Sequence, residues 1–241
     1  MTDVRPRRGT SWDAVVPDTY PARPRALACE QYSDRALSDW YALLSQEPEE
    51  DEVQRFLELH PSMIPGGSGD VGPGGHHGSD MGAVFRRPNL VGGGRTFQPD
   101  FMWVTRSTSQ ITPILVEIEK PSKRWFRRDG RPTSEFTHAH DQLNDWRSWF
   151  ARDGNKALFR EKFLLLSEKH EDRLLEPQYV LIYGRESEFG IGGGHANPNG
   201  LRYKRDHETA TTTYTNGRTL PTQPPGIGRA VFTDGPAKEV G

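Results

Sequence analysis

Leu37, Trp40, Tyr41 and Leu44 are spaced three and four residues apart, which lays one apolar stripe along a helix that Ser33 or Asp34 can cap. Pro48 restarts the chain, and the acidic run Glu49, Glu50, Asp51 and Glu52 suits the positive end of a second helix dipole. That helix should reach about His60, with Val53, Phe56, Leu57 and Leu59 turned inward and Pro61 as its stop. Glu52 precedes Phe56 by one turn and so borders the inward side. Residues 65–82 are Gly-rich, with His76 and His77 adjacent, and read as a loose connection in which the two histidines are an incidental exposed pair.

Beyond this point the apolar spacing changes to that of strands. Residues 83–90 and 97–105 flank Gly92, Gly93 and Gly94, so a hairpin with a loose turn is expected. Residues 112–120, TPILVEIEK, carry branched apolar side chains between Pro113 and Pro121 and predict a central strand. Residues 134–152 return to helical spacing with Phe136, Leu143, Trp146, Trp149 and Phe150, and helical pattern resumes over 157–167. YVLIY at 179–183 predicts a short buried strand, GIGGGHANPNG at 190–200 a loop, and the Thr-rich stretch 209–215 one more strand. No internal repeat is present.

Composition narrows the folded part. Mean hydropathy is −0.78, the hydrophobic fraction is 33%, and the 25 Gly and 19 Pro concentrate outside the packing segments. The expected organisation is a flexible arm over 1–26, an N-terminal helix over 27–47, a folded domain over 48–215 and a flexible tail over 216–241. A net charge of −2 excludes a polycation that coats nucleic acid indiscriminately, so any such binding is local. The single cysteine, Cys29, cannot make an internal disulfide. No stretch resembles a secretory leader or a membrane span, and these absences together predict a soluble, cytoplasmic protein.

Alternation along residues 112–120 puts Glu117 and Glu119 on one sheet face and Ile114, Val116 and Ile118 on the other. Two carboxylates from a central strand repel each other and resist desolvation, and a divalent cation relieves both penalties. Asp100, after Pro99 on the preceding strand, comes within reach of the same ion in a hairpin. Oxygen ligands with open positions for water suit Mg²⁺ or Mn²⁺ rather than zinc. Directly after the strand, Lys120, Lys123, Arg124, Arg127, Arg128 and Arg131 surround Trp125 and Phe126, a segment whose charges can hold phosphates while its rings stack on bases. His138 and His140 are two apart on a helix and diverge, so they are not expected to share an ion. The Gly run at 190–194 lacks the Lys and helix of a nucleotide loop.

These residues carry a resemblance. Pro99-Asp100, Glu117-Ile118-Glu119 and Gln142 resemble the PD-(D/E)xK nuclease pattern. More closely, EVQRFLELHP at 52–61, QPDFMWV at 98–104, LVEIEKP at 115–121, HAHDQLNDW at 138–146 and YVLIYGR at 179–185 are similar to the Shedu antiphage-defence nuclease domain. The resemblance implies an α/β restriction-endonuclease-like fold, a mixed β-sheet flanked by helices with an N-terminal helical extension. It implies Asp100 and Glu117 as metal ligands, Glu52 as a third acidic group with Glu50 the alternative, and Gln142 facing the site. It further implies phage or other foreign DNA as substrate, homo-oligomers, and metal-dependent cleavage of phosphodiester bonds. Glu119 stands where the pattern usually has Lys, and Lys120, one place later, points to the opposite face unless a bulge intervenes. Two rival readings follow: a nucleic-acid-binding or sensor module with impaired turnover, and an assembly subunit whose Trp146 to Phe150 stretch is an oligomer interface.

Overall fold

Strand β5, Gln110–Ile118, is buried along nearly its whole length because both its faces are covered. In the computed structural model, which describes residues 29–67, 71, 79–163, 172–190, 192–208, 213–215 and 231–233, the other elements assemble around it. Helices α1 (Cys29–Ser45) and α2 (Glu50–Leu59) come first, followed by a 3-10 turn at Pro61–Met63. Strands β1 (Ser79–Arg86), β2 (Leu90–Gly92), β3 (Arg95–Phe97) and β4 (Phe101–Arg106) precede β5. Helices α3 (Ser134–Phe150) and α4 (Asp153–Phe163), strands β6 (Leu174–Leu175) and β7 (Gln178–Ile182), a 3-10 turn at Glu186–Phe189, helix α5 (Pro198–Glu208), and strands β8 (Thr213–Thr215) and β9 (Val231–Thr233) complete the order.

The main sheet runs β8-β7-β5-β4-β1-β9, with β6 also pairing β5. β4 is antiparallel to β1 and β5, whereas β7 is parallel to β5 and β8, and β9 is parallel to β1. One core lies between the sheet and α1 with α2, where Trp40, Leu44, Val53 and Leu57 meet Phe101, Trp103, Ile114, Val116 and Ile118. The other joins Phe136, Leu143, Trp146, Trp149 and Phe150 of α3 to Met102, Leu115, Leu181 and Tyr183. The result is the expected mixed sheet flanked by helices, with the N-terminal helix on the α2 side.

Local departures from expectation have identifiable causes. The long strands expected at 83–90 and 97–105 do pair, as β1 with β4, but each is interrupted. Arg87 takes a left-handed φ of 44° and Pro88 follows it, so the chain leaves the sheet and forms the small separate hairpin of β2 and β3. The segment expected to be loose after Pro65 begins tightly packed. A Cβ on Gly66, at φ +107°, would sit 2.8 Å from Ile114 Cγ2, and one on Gly67 would sit 2.8 Å from Trp103 Cζ2. Trp103 Nε1 also donates to the Ile64 carbonyl at 3.2 Å. Glycine is needed there because backbone lies directly on the sheet. Gly66→Ala should therefore lower stability by about 1–3 kcal/mol, seen as a lower urea midpoint; an unchanged midpoint would contradict this packing.

Helix α5 was not expected, since its sequence is polar without an apolar stripe. Val231–Thr233, inside the stretch read as a tail, is strand β9. The expected arm at 1–26 and the histidines at 76 and 77 lie outside the described residues. No helix among the described residues is long and apolar enough to cross a membrane.

Candidate functional site

The β4/β5 register ends with Phe101 opposite Val116, so one further step sets Asp100 opposite Glu117. The Asp100 carbonyl accepts the Arg87 N–H at 2.8 Å, and its Oδ2 accepts the Ile118 N–H at 2.9 Å, which fixes backbone and carboxylate together. Alternation along β5 turns Glu117 toward α3. The Thr133 side chain caps that helix by accepting the Phe136 N–H, and the packing of Phe136, Leu143 and Trp146 in the core with the sheet residues turns Gln142 toward Glu117. Gln142 Nε2 donates to Glu117 Oε1 at 2.6 Å. Glu117 Oε2 is buried and has no hydrogen-bond partner. Such an orphan is unusual and calls for a missing partner.

Glu119 continues the ladder, its N–H donating to the Ile182 carbonyl at 2.9 Å, so it stays on the Glu117 face. Its buried carboxylate forms an ion pair with Lys123. Glu50, in the first turn of α2, adds a fourth acidic group that acts electrostatically on Asp100 and Glu117.

Burial and mutual repulsion make these acids hard to ionise. Asp100 is pushed up to about 6, first by desolvation and then by Glu50 and Glu119, against the Ile118 N–H and the charge of Arg87. Glu117 is held well above the carboxylate range by desolvation, then by Asp100, Glu119 and Glu50, with Gln142 opposing. Glu50 is raised by desolvation and by Glu119, while Lys123 and Arg87 pull it down. The upward shifts of Asp100, Glu117 and Glu50 favour a proton or a bound cation at these carboxylates.

The donor chemistry fits a hard divalent ion: the buried Glu117 with its orphan oxygen and the partly buried Asp100, beside two further acids, Glu119 and Glu50. Among the described residues no three His, Cys, Asp or Glu side chains are gathered closely enough to enclose an ion by themselves. Other oxygens, such as water, would have to complete the coordination.

The remaining expected residues divide sharply. Glu52 does not join the cluster: its carboxylate accepts the Glu49 N–H at 2.8 Å and closes the capping box of α2, exposed to solvent, leaving the acidic place to Glu50. Lys120 points the other way, as expected from its parity, and pairs with Glu49. Arg124 Nη2 donates to the Gly193 carbonyl at 2.5 Å and its Nε lies 3.8 Å from Glu188. Arg127 stands 3.4 Å from Asp129, and Arg128 is exposed.

Trp125 and Phe126 correct the expectation of base stacking, because both are 0% exposed and belong to the α3-side core. Arg205 of α5 lies 5.4 Å from the Trp125 ring centroid and Lys204 lies 5.5 Å from that of Phe126. Likewise Trp146, Trp149 and Phe150 are core residues, which removes the apolar surface that an oligomer interface there requires.

Two features escaped the sequence reading. Arg87 supplies positive charge beside Asp100 and Glu50, and only its neighbour Pro88 hinted at the backbone turn that places it. Glu188 is buried and accepts the N–H groups of Trp125 and Phe126 at 2.8 and 3.0 Å while His195 Nε2 lies 2.9 Å away. It anchors the basic loop from underneath.

Comparison with known families finds that the model described as Shedu protein SduA, C-terminal, matches residues 47–209, which spans the four acids, Gln142 and the anchored loop. No curated protein matches the chain.

Proposed function

Because the chain belongs to the Shedu family, we propose that it is a metal-dependent nuclease of antiphage defence, hydrolysing phosphodiester bonds of foreign DNA. The observation that carries this reading is the buried, partnerless Glu117 Oε2 beside Asp100. Asp100 and Glu117 hold the ion, with Glu50 rather than Glu52 as the additional acid. An ion of the Mg²⁺ or Mn²⁺ class, when bound, activates water and neutralises charge on the phosphodiester.

The protein's own groups do the positioning. The Ile118 N–H and the Gln142 amide each occupy one oxygen of a carboxylate and leave the other free to point at the ion. Arg127 and Arg128 lie exposed on the loop that follows β5, where they can bind phosphates without reading sequence. The loop cannot adapt freely, since its aromatic side chains are locked in the core. DNA as the substrate, a homo-oligomeric state and a cytoplasmic location belong to this proposal.

The test is cleavage of supercoiled and linear duplex DNA with Mg²⁺ or Mn²⁺. Asp100→Ala and Glu117→Ala should each reduce the rate by at least about 100-fold while the circular dichroism spectrum is kept. Gln142→Ala should weaken Mn²⁺ binding by roughly 10–100-fold in a calorimetric titration, because it frees Glu117 to turn away. A wild-type protein that binds DNA but cleaves none under any divalent metal would establish the sensor reading instead.

A further inference from the structure

Two cations face the acid cluster, and they are held differently. The Arg87 guanidinium is drawn toward α2, where its Nη2 donates to Gln54 Oε1 at 2.7 Å. The Lys123 ammonium is held by Glu119 at the cluster itself. Lys123 follows a turn in which its N–H donates to the Lys120 carbonyl at 3.0 Å, and this brings its side chain back over the end of β5. Its side chain remains 30% exposed, whereas that of Glu119 is 9% exposed.

An arrangement of this kind is expensive as a device for stability. A buried carboxylate gives up its hydration, and the pair it forms often stabilises a fold no better than apolar residues of similar volume. It is well suited to holding one positive charge within reach of solvent beside Glu117, whose second oxygen is unpartnered. Lys120 cannot serve, being committed to Glu49 on the other side.

We propose that Lys123 is the catalytic ammonium of this site and that Glu119 is the positioning residue that holds it against the carboxylate cluster. The assignment rests on the nuclease reading above. The ammonium keeps its proton throughout and donates a hydrogen bond to a non-bridging oxygen of the scissile phosphate. Water oxygen bonds to phosphorus, the ester P–O bond breaks with its electron pair on the leaving oxygen, and a proton from that water ends on the leaving oxygen. The fixed charge stabilises the negative charge that builds on phosphate during the exchange.

The geometry supplies a reciprocal test. Residue 119 shares a face with Glu117, so a lysine placed there can present its ammonium to the same cluster without Glu119 as holder. The test compares wild type, Lys123→Met, Lys123→Arg and the double variant Glu119→Lys/Lys123→Met in DNA cleavage, calorimetric Mn²⁺ titration and thermal unfolding.

Lys123→Met is expected to lower kcat by about 100-fold or more, with KM for DNA little changed and Mn²⁺ affinity equal or tighter. Lys123→Arg should retain part of the rate, and the double variant should recover at least about 10-fold over Lys123→Met. A Lys123→Met protein that cuts at the wild-type rate, or that loses Mn²⁺ binding along with activity, overturns the assignment while leaving the nuclease reading in place. A wild type that cuts no DNA overturns the nuclease reading, and the assignment falls with it.

Discussion

Asp100→Asn should make the metal-free protein more stable at pH 7.5 even as it abolishes the cleavage proposed for this site. Asp100 sits at about 6 in the folded protein against an ordinary 3.8, so the folded state binds its proton more tightly than the unfolded state does. The stability this contributes is fully present below about pH 4 and is lost as pH rises through about 6, amounting to about 3 kcal/mol at most. Asparagine keeps an oxygen to accept the Ile118 N–H but carries no charge to bury. The variant and the parent should therefore unfold alike near pH 4 and diverge by pH 7.5. Mn²⁺ or Mg²⁺ should raise the melting temperature of the parent at pH 7.5, as binding to the folded state alone requires, and leave the variant unmoved. Equal metal-free stability of the two proteins across this range would remove the electrostatic strain on which the site depends.

A comparably large effect is expected at a residue outside the acidic cluster. Glu188→Ala removes the acceptor for the Trp125 and Phe126 N–H groups and the partner of His195. Arg124, whose side chain is 46% exposed, loses a neighbour 3.8 Å away and keeps its solvation, so the main loss is at the buried N–H groups. Leaving two buried N–H groups without an acceptor costs about 1–3 kcal/mol each, which should lower the melting temperature by on the order of 10 °C. The basic loop should loosen together with the fold, so affinity for DNA at low salt falls as well. Glu188→Gln, which keeps one acceptor oxygen, should lose distinctly less. If Glu188→Ala melts within a degree or two of the parent, the loop is held by its aromatic packing and not by this carboxylate.

Much of the scaffold could be read from periodicity because a central strand and the helix beside it announce themselves. TPILVEIEK gave the strand and the common face of Glu117 and Glu119, and the spacing of Phe136, Leu143 and Trp146 gave the helix that brings Gln142 to them. Asp100 was legible only jointly, through its pairing position opposite Glu117. Glu52 was misplaced for a geometrical reason. Residues two apart on a helix point about 200° from each other, and nearness to the apolar stripe does not say which acid of a run turns toward the sheet end.

Trp125 and Phe126 were misread because two aromatics among six cations look the same in sequence whether they cover a surface or enter a core. What decides is distant in the chain: the turn Glu186–Phe189 and helix α5 fold over them. Glu188 and Arg87 are equally non-local. Neither has a spacing rule, because each is defined by backbone atoms it meets from far along the sequence.

Strand β9 lies alongside β1 in parallel, Ala83 opposite Val231 and Phe85 opposite Thr233. Shortening the protein at residue 215 would strip away this cover and leave the outer rim of β1 with open amide and carbonyl groups, a template onto which another molecule can add. A truncation that leaves the acidic cluster intact would thus be expected to promote self-association, because three paired residues near the other end of the chain cover that rim.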